Sequence, residues 1–475
     1  MRFIQEEPIV AKRERKLSLW MLTWPIFIEL FLQFLLGAAD TLMVSRISDD
    51  AVAVVGFSNQ LFSALMTLFV TVASGAGILI AQRLGAGRGD QARKIGIMAL
   101  SVSFWIGLAI SVVLYVAPSE VSSMLQLPEE LLPLANTYIS IVGGGMVLVA
   151  IMSALSTAIR STGNTRGPMY IAIGMNVFHV VLNYGFIFGE FGLPEWGLMG
   201  VALSTVISRL LACVVLFIMF LRTFDEPIFL RHLGLFDRGL FKDVMRIGWP
   251  LGVNMACWVF SQLAIFSFIA TIGSLELAAR TYMNTLESVC FLLGYSLALA
   301  IQIRIAHLFG AGQFKEAYKA AYSALWIGLA LVIVNACLLY LFGGQILSIF
   351  TKDPEIIALG ISLLGLNLIL QPAKMLNMAL TNSLNAIGDT RFTMWVSLLS
   401  MAIIATGLSY TLGIMMGWGL IGIYICMIAD EYVRGIISVF RWRGQKFLRK
   451  AAAAQNHDST SAHTDRVRNE SALDV

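Results

Sequence analysis

Long runs of apolar residues recur along the whole chain, and short polar segments separate them. A helix needs about 20 apolar residues to cross a bilayer, and each of these runs reaches that length. The runs predict twelve membrane spans. In chain order, spans 1 to 12 are residues 17–45, 51–82, 95–117, 131–159, 168–189, 197–221, 244–271, 277–303, 317–343, 355–386, 393–415 and 418–440. The pattern is that of an all-α polytopic membrane protein.

The composition supports this fold class. Of the 475 residues, 58% are hydrophobic and 13% are charged, whereas a soluble domain is about one-quarter charged. Residues 1–16 are too polar for a secretory signal peptide, so we expect span 1 to be retained. The five cysteines lie singly in apolar runs, without metal or redox spacing. We expect packing roles for them, no cofactor, no metal site and no nucleic-acid partner.

The distribution of positive charge indicates how the spans are oriented. If the N-terminus is cytoplasmic, nearly all lysines and arginines outside the spans fall on the cytoplasmic side. The opposite side then holds only Arg46, Arg280 and Lys352. Because cytoplasmic loops carry an excess of Lys and Arg, both chain ends are predicted to be cytoplasmic. We expect a multi-pass protein of the plasma (inner) membrane.

The second half of the chain repeats short motifs of the first half, in the same order. Three motifs return after 225 residues and a fourth after a three-residue slip. The matched stretches are 24–25 with 249–250, 81–87 with 306–312, 163–166 with 388–391, and 196–200 with 418–422. Since each half has an even number of spans, both halves enter the membrane from the same side. This is a parallel repeat, which is typical of transporters.

The repeat divides the chain into two pseudo-symmetric lobes of six spans each. The N-lobe covers residues 17–221 and the C-lobe residues 247–443, and a cytoplasmic linker of mixed charge, 222–246, joins them. A cytoplasmic segment, 1–16, precedes the N-lobe. The polar tail 444–475 lacks apolar periodicity and is predicted to be disordered.

Span 1 carries two carboxylates in an otherwise apolar helix. At about 100° per residue, Glu29, Gln33 and Asp40 fall on one helix face. A charged side chain at the bilayer centre costs roughly 2.5–3.5 kcal/mol even on a mild scale, so such a group is usually buried in a bundle or lines an aqueous cavity. Each acid is either an ion or proton site, or a hydrogen-bonded structural acid.

Span 5 has one polar face, formed by Asn176, His179 and Asn183 at i, i+3 and i+7. His179 is either a proton carrier or a neutral hydrogen-bonding residue. Polar residues of span 6 are Ser204, Thr205 and Ser208. In the second half, Ile265 stands at the position equivalent to Asp40, and Asn254 at that of Glu29. We therefore expect the ionisable cluster in the N-lobe.

A polar stripe follows span 10, through Lys374, Asn377, Thr381 and Asn385. Glu287 on span 8 is the nearest candidate partner of Lys374. Two interpretations stay open, a structural ion pair and a cavity lysine that attracts an anionic substrate. Further candidates for a substrate cavity, chosen for polar or aromatic placement, are Gln33, Met255, Trp258, Gln262, Asn284 and Met378.

Several motifs resemble those of the multidrug and toxic compound extrusion (MATE) family, and the likeness covers about residues 17–443. Single motifs are weak, but their order along both repeats is specific. Among the branches of the family, the chain looks most similar to the bacterial one named for DNA-damage-inducible protein F. The motifs are 25–29, 39–44, 53–56, 85–87, 160–166 and 385–391.

The resemblance implies two six-helix lobes and export of organic compounds, driven by inward H⁺ or Na⁺. It also implies an ion site in the N-lobe: the family's helix-1 aspartate matches Asp40, its helix-5 asparagine matches His179, its helix-5 aspartate matches Asn183, and its helix-6 threonine matches Thr205. Losing the carboxylate at Asn183 weakens a Na⁺ site, because hard cations prefer anionic oxygen ligands. The acids that another branch places on helices 7 and 10 fall near Trp258 and Lys374, so that second site looks absent.

Proton-coupled antiport through Asp40 is the hypothesis that these residues favour, and Na⁺-coupled export is its alternative. A flippase for lipid-linked substrates is a further alternative, although a strongly basic cavity is missing from the sequence. An enzyme would need clustered metal ligands or a nucleophile beside a base. A receptor would need a large soluble domain. We expect a monomer whose partners are a small organic substrate and the lipid bilayer.

Overall fold

The computed structural model describes residues 18–125, 127–224 and 237–445, and all regular secondary structure in these ranges is helical. The predicted N-terminal segment, the middle of the linker and nearly all of the tail lie outside the described residues. Twelve long helices correspond one to one to the predicted spans. Helices α1 to α12 are Leu19–Val44, Asp49–Gly85, Gly89–Val116, Leu132–Gly144 with Met146–Ser161, Arg166–Phe188, Gly197–Leu221, Arg238–Ile272, Ser274–Gly310, Phe314–Phe350, Pro354–Ala386, Thr390–Ser400 with the π-helical turns Met401–Leu408 and Tyr410–Met415, and Gly419–Arg443.

Eleven of these helices are long and apolar enough to cross a membrane. The remaining one, α12, carries Asp430, Glu431 and Arg434 in its middle. Helix α7 begins at Arg238, inside the predicted linker, where the side chain of Asp237 accepts hydrogen bonds from the backbone of Gly239 and Leu240. The fold prediction of two six-helix lobes is confirmed.

The two lobes meet most closely where the repeat-related helices α2 and α8 end. A Cβ atom on Gly85 would lie 2.0 Å from the backbone oxygen of His307, and one on Gly310 would lie 1.9 Å from that of Gln82. Gly85 and Gly310 occupy equivalent positions of the repeat, as do Gln82 and His307. Only glycine permits this approach, so the sequence repeat appears in space as a symmetric crossing of two helices.

Two hydrogen bonds join the lobes beside this crossing, and they also obey the repeat. Gln82 Nε2 donates to the backbone oxygen of Ala386 at 2.7 Å, and His307 Nε2 donates to that of Ser161 at 2.8 Å. The two acceptors are the last residues of α10 and α4. We call this end of the molecule the closed end.

Apolar packing shows that the lobes separate at the opposite end. Near the closed end, one core cluster combines α1 residues such as Leu22 with C-lobe residues such as Ile301, and another combines N-lobe residues with Val244 of α7. The two remaining clusters each contain residues of one lobe only, from Val44 to Ala202 and from Ile265 to Met427. A cleft between the lobes therefore opens at this end, which we call the open end.

Candidate functional site

Three helices of the N-lobe bring a polar cluster together near the open end. Asp40 lies in the last turns of α1, and its Oδ1 accepts hydrogen bonds from His179 Nε2 at 2.8 Å and from Asn183 Nδ2 at 2.9 Å. Ser204 of α6 donates to Asn183 Oδ1. The His179 and Asn183 side chains share one face of α5 because they are four residues apart. Four predicted polar residues thus converge from positions up to 164 residues apart.

The solvent exposure of the side chains in this cluster increases from the protein interior towards the cleft. The side chain of Asp40 is 22% exposed and that of His179 is 3% exposed, while Asn183 is fully buried. Thr205, a buried neighbour of Ser204, donates to the backbone oxygen of Val201 at 2.9 Å. Water or an ion can therefore reach the carboxylate of Asp40, whereas the groups that hold it are enclosed.

The groups closest to the Asp40 carboxylate are nitrogen atoms of His179 and Asn183. With Asn183 Nδ2 donating to the carboxylate, the Asn183 oxygen is turned away and accepts from Ser204. An imidazole nitrogen occupies the place where a hard cation would need oxygen. In the described part of the chain, no group of three or more His, Cys, Asp and Glu side chains could hold a metal ion.

Two other predicted coupling residues lie apart from this cluster. Glu29 is buried deeper along α1, where it pairs with Arg160 at 3.2 Å, and Arg160 also donates to Thr157. Asn176 is 7% exposed, and neither its side-chain oxygen nor its nitrogen has a hydrogen-bond partner among the described residues. Their coupling roles stay predictions.

Arg209 of α6 and Tyr138 of α4 belong to the surroundings of Asp40, although no role was predicted for either. Both are near enough to Asp40 to interact with it electrostatically. Arg209 Nη1 is buried and has no hydrogen-bond partner in the described ranges. The one sequence signal of Arg209 is its place as a cation inside the apolar span 6, and the fold alone brings it near the acid.

The C-lobe contains a group of buried charges around the predicted pair Glu287–Lys374. Glu287 of α8 pairs with Lys374 Nζ at 3.2 Å and with Arg280 Nη1 at 3.4 Å. Tyr424 Oη of α12 donates to the same carboxylate at 2.8 Å and accepts from Arg280 at 2.8 Å. One carboxylate thus balances two cations.

Arg280, which the charge pattern assigns to the side opposite the cytoplasm, is buried inside α8. It is 2% exposed, within the second turn of α8, and its guanidinium lies 5.3 Å from the ring centre of Tyr424. Its charge is compensated by Glu287, seven residues later on the same helix. The predicted pairing of Lys374 with Glu287, by contrast, is present in the structure.

The polar stripe of α10 continues towards α12. Asn377 Nδ2 donates to Glu431 Oε2 at 2.7 Å, and Thr381 donates to Asn377 Oδ1. Glu431 and Asp430 share Arg434, at 2.8 and 2.5 Å. Asn377 is buried, so a contact with substrate would require it to leave Glu431.

The remaining predicted substrate residues differ in exposure. Gln33 is exposed and Gln262 is half-buried. Trp258 is 38% exposed and stacks on Phe291, whose ring stacks in turn on Tyr295. These rings form a continuous aromatic stack across α7 and α8. Substrate contact by Gln33, Trp258, Gln262, Lys374, Asn377 and Glu287 stays a prediction.

Comparison with known proteins agrees with this architecture. A family model described as MatE matches residues 25–185 and 250–411, one match in each lobe. The chain is 33% identical to the uncharacterized transporter YisQ of Bacillus subtilis over 93% of this chain and 97% of that protein. It is 26% identical to a probable multidrug resistance protein, NorM, of Thermotoga maritima, over 94% and 95%. A crystal structure of MATE in the bent conformation superposes with a TM-score of 0.84 at 20% identity, covering 93% of this chain and 97% of the other.

Proposed function

Since this chain belongs to the MATE family of multidrug efflux transporters, we propose that it exports organic compounds in exchange for inward protons, with Asp40 and His179 as the proton-binding pair. The observation that carries this proposal is the 2.8 Å contact between Asp40 Oδ1 and His179 Nε2 beside an open cleft. A carboxylate in contact with an imidazole provides two adjacent groups that can each hold a proton.

The closed end faces the cytoplasm in this proposal. The basic segments near residues 83–94, 160–166 and 304–319 lie at that end, and cytoplasmic loops carry such an excess of Lys and Arg. The cleft then opens to the outside, and Asp40 is accessible to external protons. Both chain ends are cytoplasmic on this orientation.

Proton binding changes the charge of the pair. An ionised Asp40 beside a neutral His179 carries one negative charge, and an added proton removes it. The carboxylate is then a weaker acceptor for Asn183, which holds α1 to α5 through this bond. Weaker contacts between the two helices allow α1 to repack, which narrows the N-lobe side of the cleft and displaces the substrate outwards.

The lobes next rotate to close the outer cleft and open the cytoplasmic end. The proton leaves to the cytoplasm, Asn183 and His179 bind the ionised Asp40 again, and new substrate enters. One charge moving through 100 mV supplies about 2.3 kcal/mol, which at about 1.4 kcal/mol per tenfold supports a gradient of about fifty-fold for a neutral substrate. One proton per cycle is enough for useful export.

The test is pH-gradient-driven uptake of fluorescent organic probes into inverted vesicles, comparing wild type with Asp40→Asn. The substitution keeps the size of the side chain but removes its titratable oxygen, so we expect uptake to fall at least about tenfold. Asp90→Asn is the matched control, since Asp90 is an exposed acid in the first turn of α3, paired with Arg93 and Lys94. Full concentrative uptake by the Asp40→Asn protein would contradict the proposal.

A further inference from the structure

A cavity of about 540 Å³ lies at the closed end, between the first turns of α7 and α11. Three cations and two apolar side chains line it: Lys242, Arg246, Arg391, Phe241 and Met245. The cations are exposed and the apolar side chains are half-buried. The cavity thus has an apolar base and a basic rim.

The described residues provide no ion pair for any of the three cations. The nearest acids along the chain have other roles or positions. Asp237 caps the start of α7, and Asp389 is bound by Arg441 at 2.7 Å. Asp243 is an exposed neighbour of Lys242 along α7. Among the described residues, three positive charges therefore converge without an ion-pair partner, which favours an anionic occupant.

The position of Trp249 indicates how deep this cavity lies in the membrane. Lys242, Arg246 and Trp249 follow one another at i, i+4 and i+7, so they share one face of α7. Trp249 is 63% exposed. Exposed tryptophans concentrate at the boundary between headgroups and acyl chains, so the cations one to two turns earlier lie at the level of the lipid phosphates.

We propose that this cavity binds the phosphate of an anionic phospholipid, such as phosphatidylglycerol. The phosphodiester lies among Lys242, Arg246 and Arg391, and an acyl chain follows the apolar surface towards Trp249. The apolar base and the exposed tryptophan favour a lipid over free phosphate, which would use the cations alone. Basic pockets between membrane helices on the cytoplasmic side bind such headgroups in other proteins.

The lipid would also act on the contact between the lobes. Phe241 and Met245 pack against the core cluster that unites α7 with the N-lobe, and Arg391 lies in the first turn of α11. Arg246 and Arg391 both belong to the C-lobe, so a headgroup that bridges them fixes the first turns of α7, and with them the face of α7 that packs against the N-lobe. Anionic lipid is expected to stabilise the state in which the cytoplasmic end is closed.

The test measures lipid binding and thermal unfolding of the full-length protein in detergent, with phosphatidylglycerol, phosphatidylcholine or inorganic phosphate added. Arg246→Gln with Arg391→Gln should weaken phosphatidylglycerol binding about thirty-fold, because each cation near the surface contributes a factor of about five. Lys315→Gln with Lys319→Gln is the control, since it removes two exposed cations of α9 at the same end.

Selective loss of phosphatidylglycerol binding and stabilisation in the Arg246/Arg391 variant supports the proposal. Equal stabilisation by phosphatidylcholine, or equal loss in both double variants, would overturn it. Stabilisation of the wild type by inorganic phosphate to the same extent would overturn the assignment to lipid. The measurement on wild type needs no variant, so a poorly folded variant does not remove the test, which is also independent of substrate and coupling ion.

Discussion

At the scale of residues, the polar chemistry of this protein depends on contacts between distant side chains. Asp40 meets His179 and Asn183 of α5, and Glu287 meets Arg280, Lys374 and Tyr424. The first group could be predicted, because its residues share helix faces and match a family pattern. Of the group around Glu287, only the pair Glu287–Lys374 was predicted. Nothing in the sequence near Arg280 or Tyr424 indicates that these residues are buried beside an acid.

The network around Glu287 predicts an asymmetric response to mutation. Glu287→Gln leaves Arg280 and Lys374 without a counter-ion, and breaking a buried pair in this way costs about 3–5 kcal/mol. Lys374→Met leaves Glu287 neutralised by Arg280 and hydrogen-bonded to Tyr424. Thermal unfolding in detergent should therefore show a clearly larger loss for Glu287→Gln. Equal losses, or a larger one for Lys374→Met, would show that the two cations do not share this carboxylate.

At the scale of elements, the close approach of α2 and α8 depends on glycine. The motif of residues 85–87 and its repeat at 310–312 were visible in the sequence as similar stretches. Their mutual contact was not, because repetition along a chain does not tell which copies touch. The helix spans, in contrast, follow from local apolar length and were predicted to within a few residues at most ends.

Gly85→Ala is expected to destabilise the closed end. The added Cβ would lie 2.0 Å from the backbone oxygen of His307, and overpacking of this kind typically costs about 1–3 kcal/mol. Gly56→Ala, on the same helix, is the control, because a Cβ there meets nothing within 4 Å. Alanine is by itself a better helix former than glycine, by about 1 kcal/mol. Thermal unfolding should therefore separate the two variants, and a Gly85→Ala protein as stable as the Gly56→Ala protein would refute the tight crossing.

At the scale of the whole molecule, the structure has one closed and one open end, as alternating access requires. In the described ranges, the two core clusters that combine both lobes lie at the closed end, while the two at the open end stay within one lobe. Two lobes joined in this way can exchange the open and closed ends by rotating about the region between them. The sequence predicted the two lobes, but not which end is closed.

The proposed orientation predicts opposite accessibility for two lysines. Lys315 begins α9 at the closed end, and Lys352 follows the same helix at the open end. With cysteine at position 315, a membrane-impermeant thiol reagent should label only inverted vesicles, and with cysteine at position 352 only right-side-out vesicles. The unsubstituted protein, with its five native cysteines, gives the background. The reverse labelling pattern would place the closed end outside.

The measurement that tests proton coupling most directly uses purified protein in liposomes with the two ion gradients imposed separately. A pH gradient without Na⁺ should drive concentrative probe transport and consume protons in step with it, and a Na⁺ gradient at equal pH should drive none. His179→Gln should lose the response to the pH gradient while it keeps downhill probe exchange. Transport that follows the Na⁺ gradient and ignores pH would contradict the assignment of the Asp40–His179 pair as a proton site.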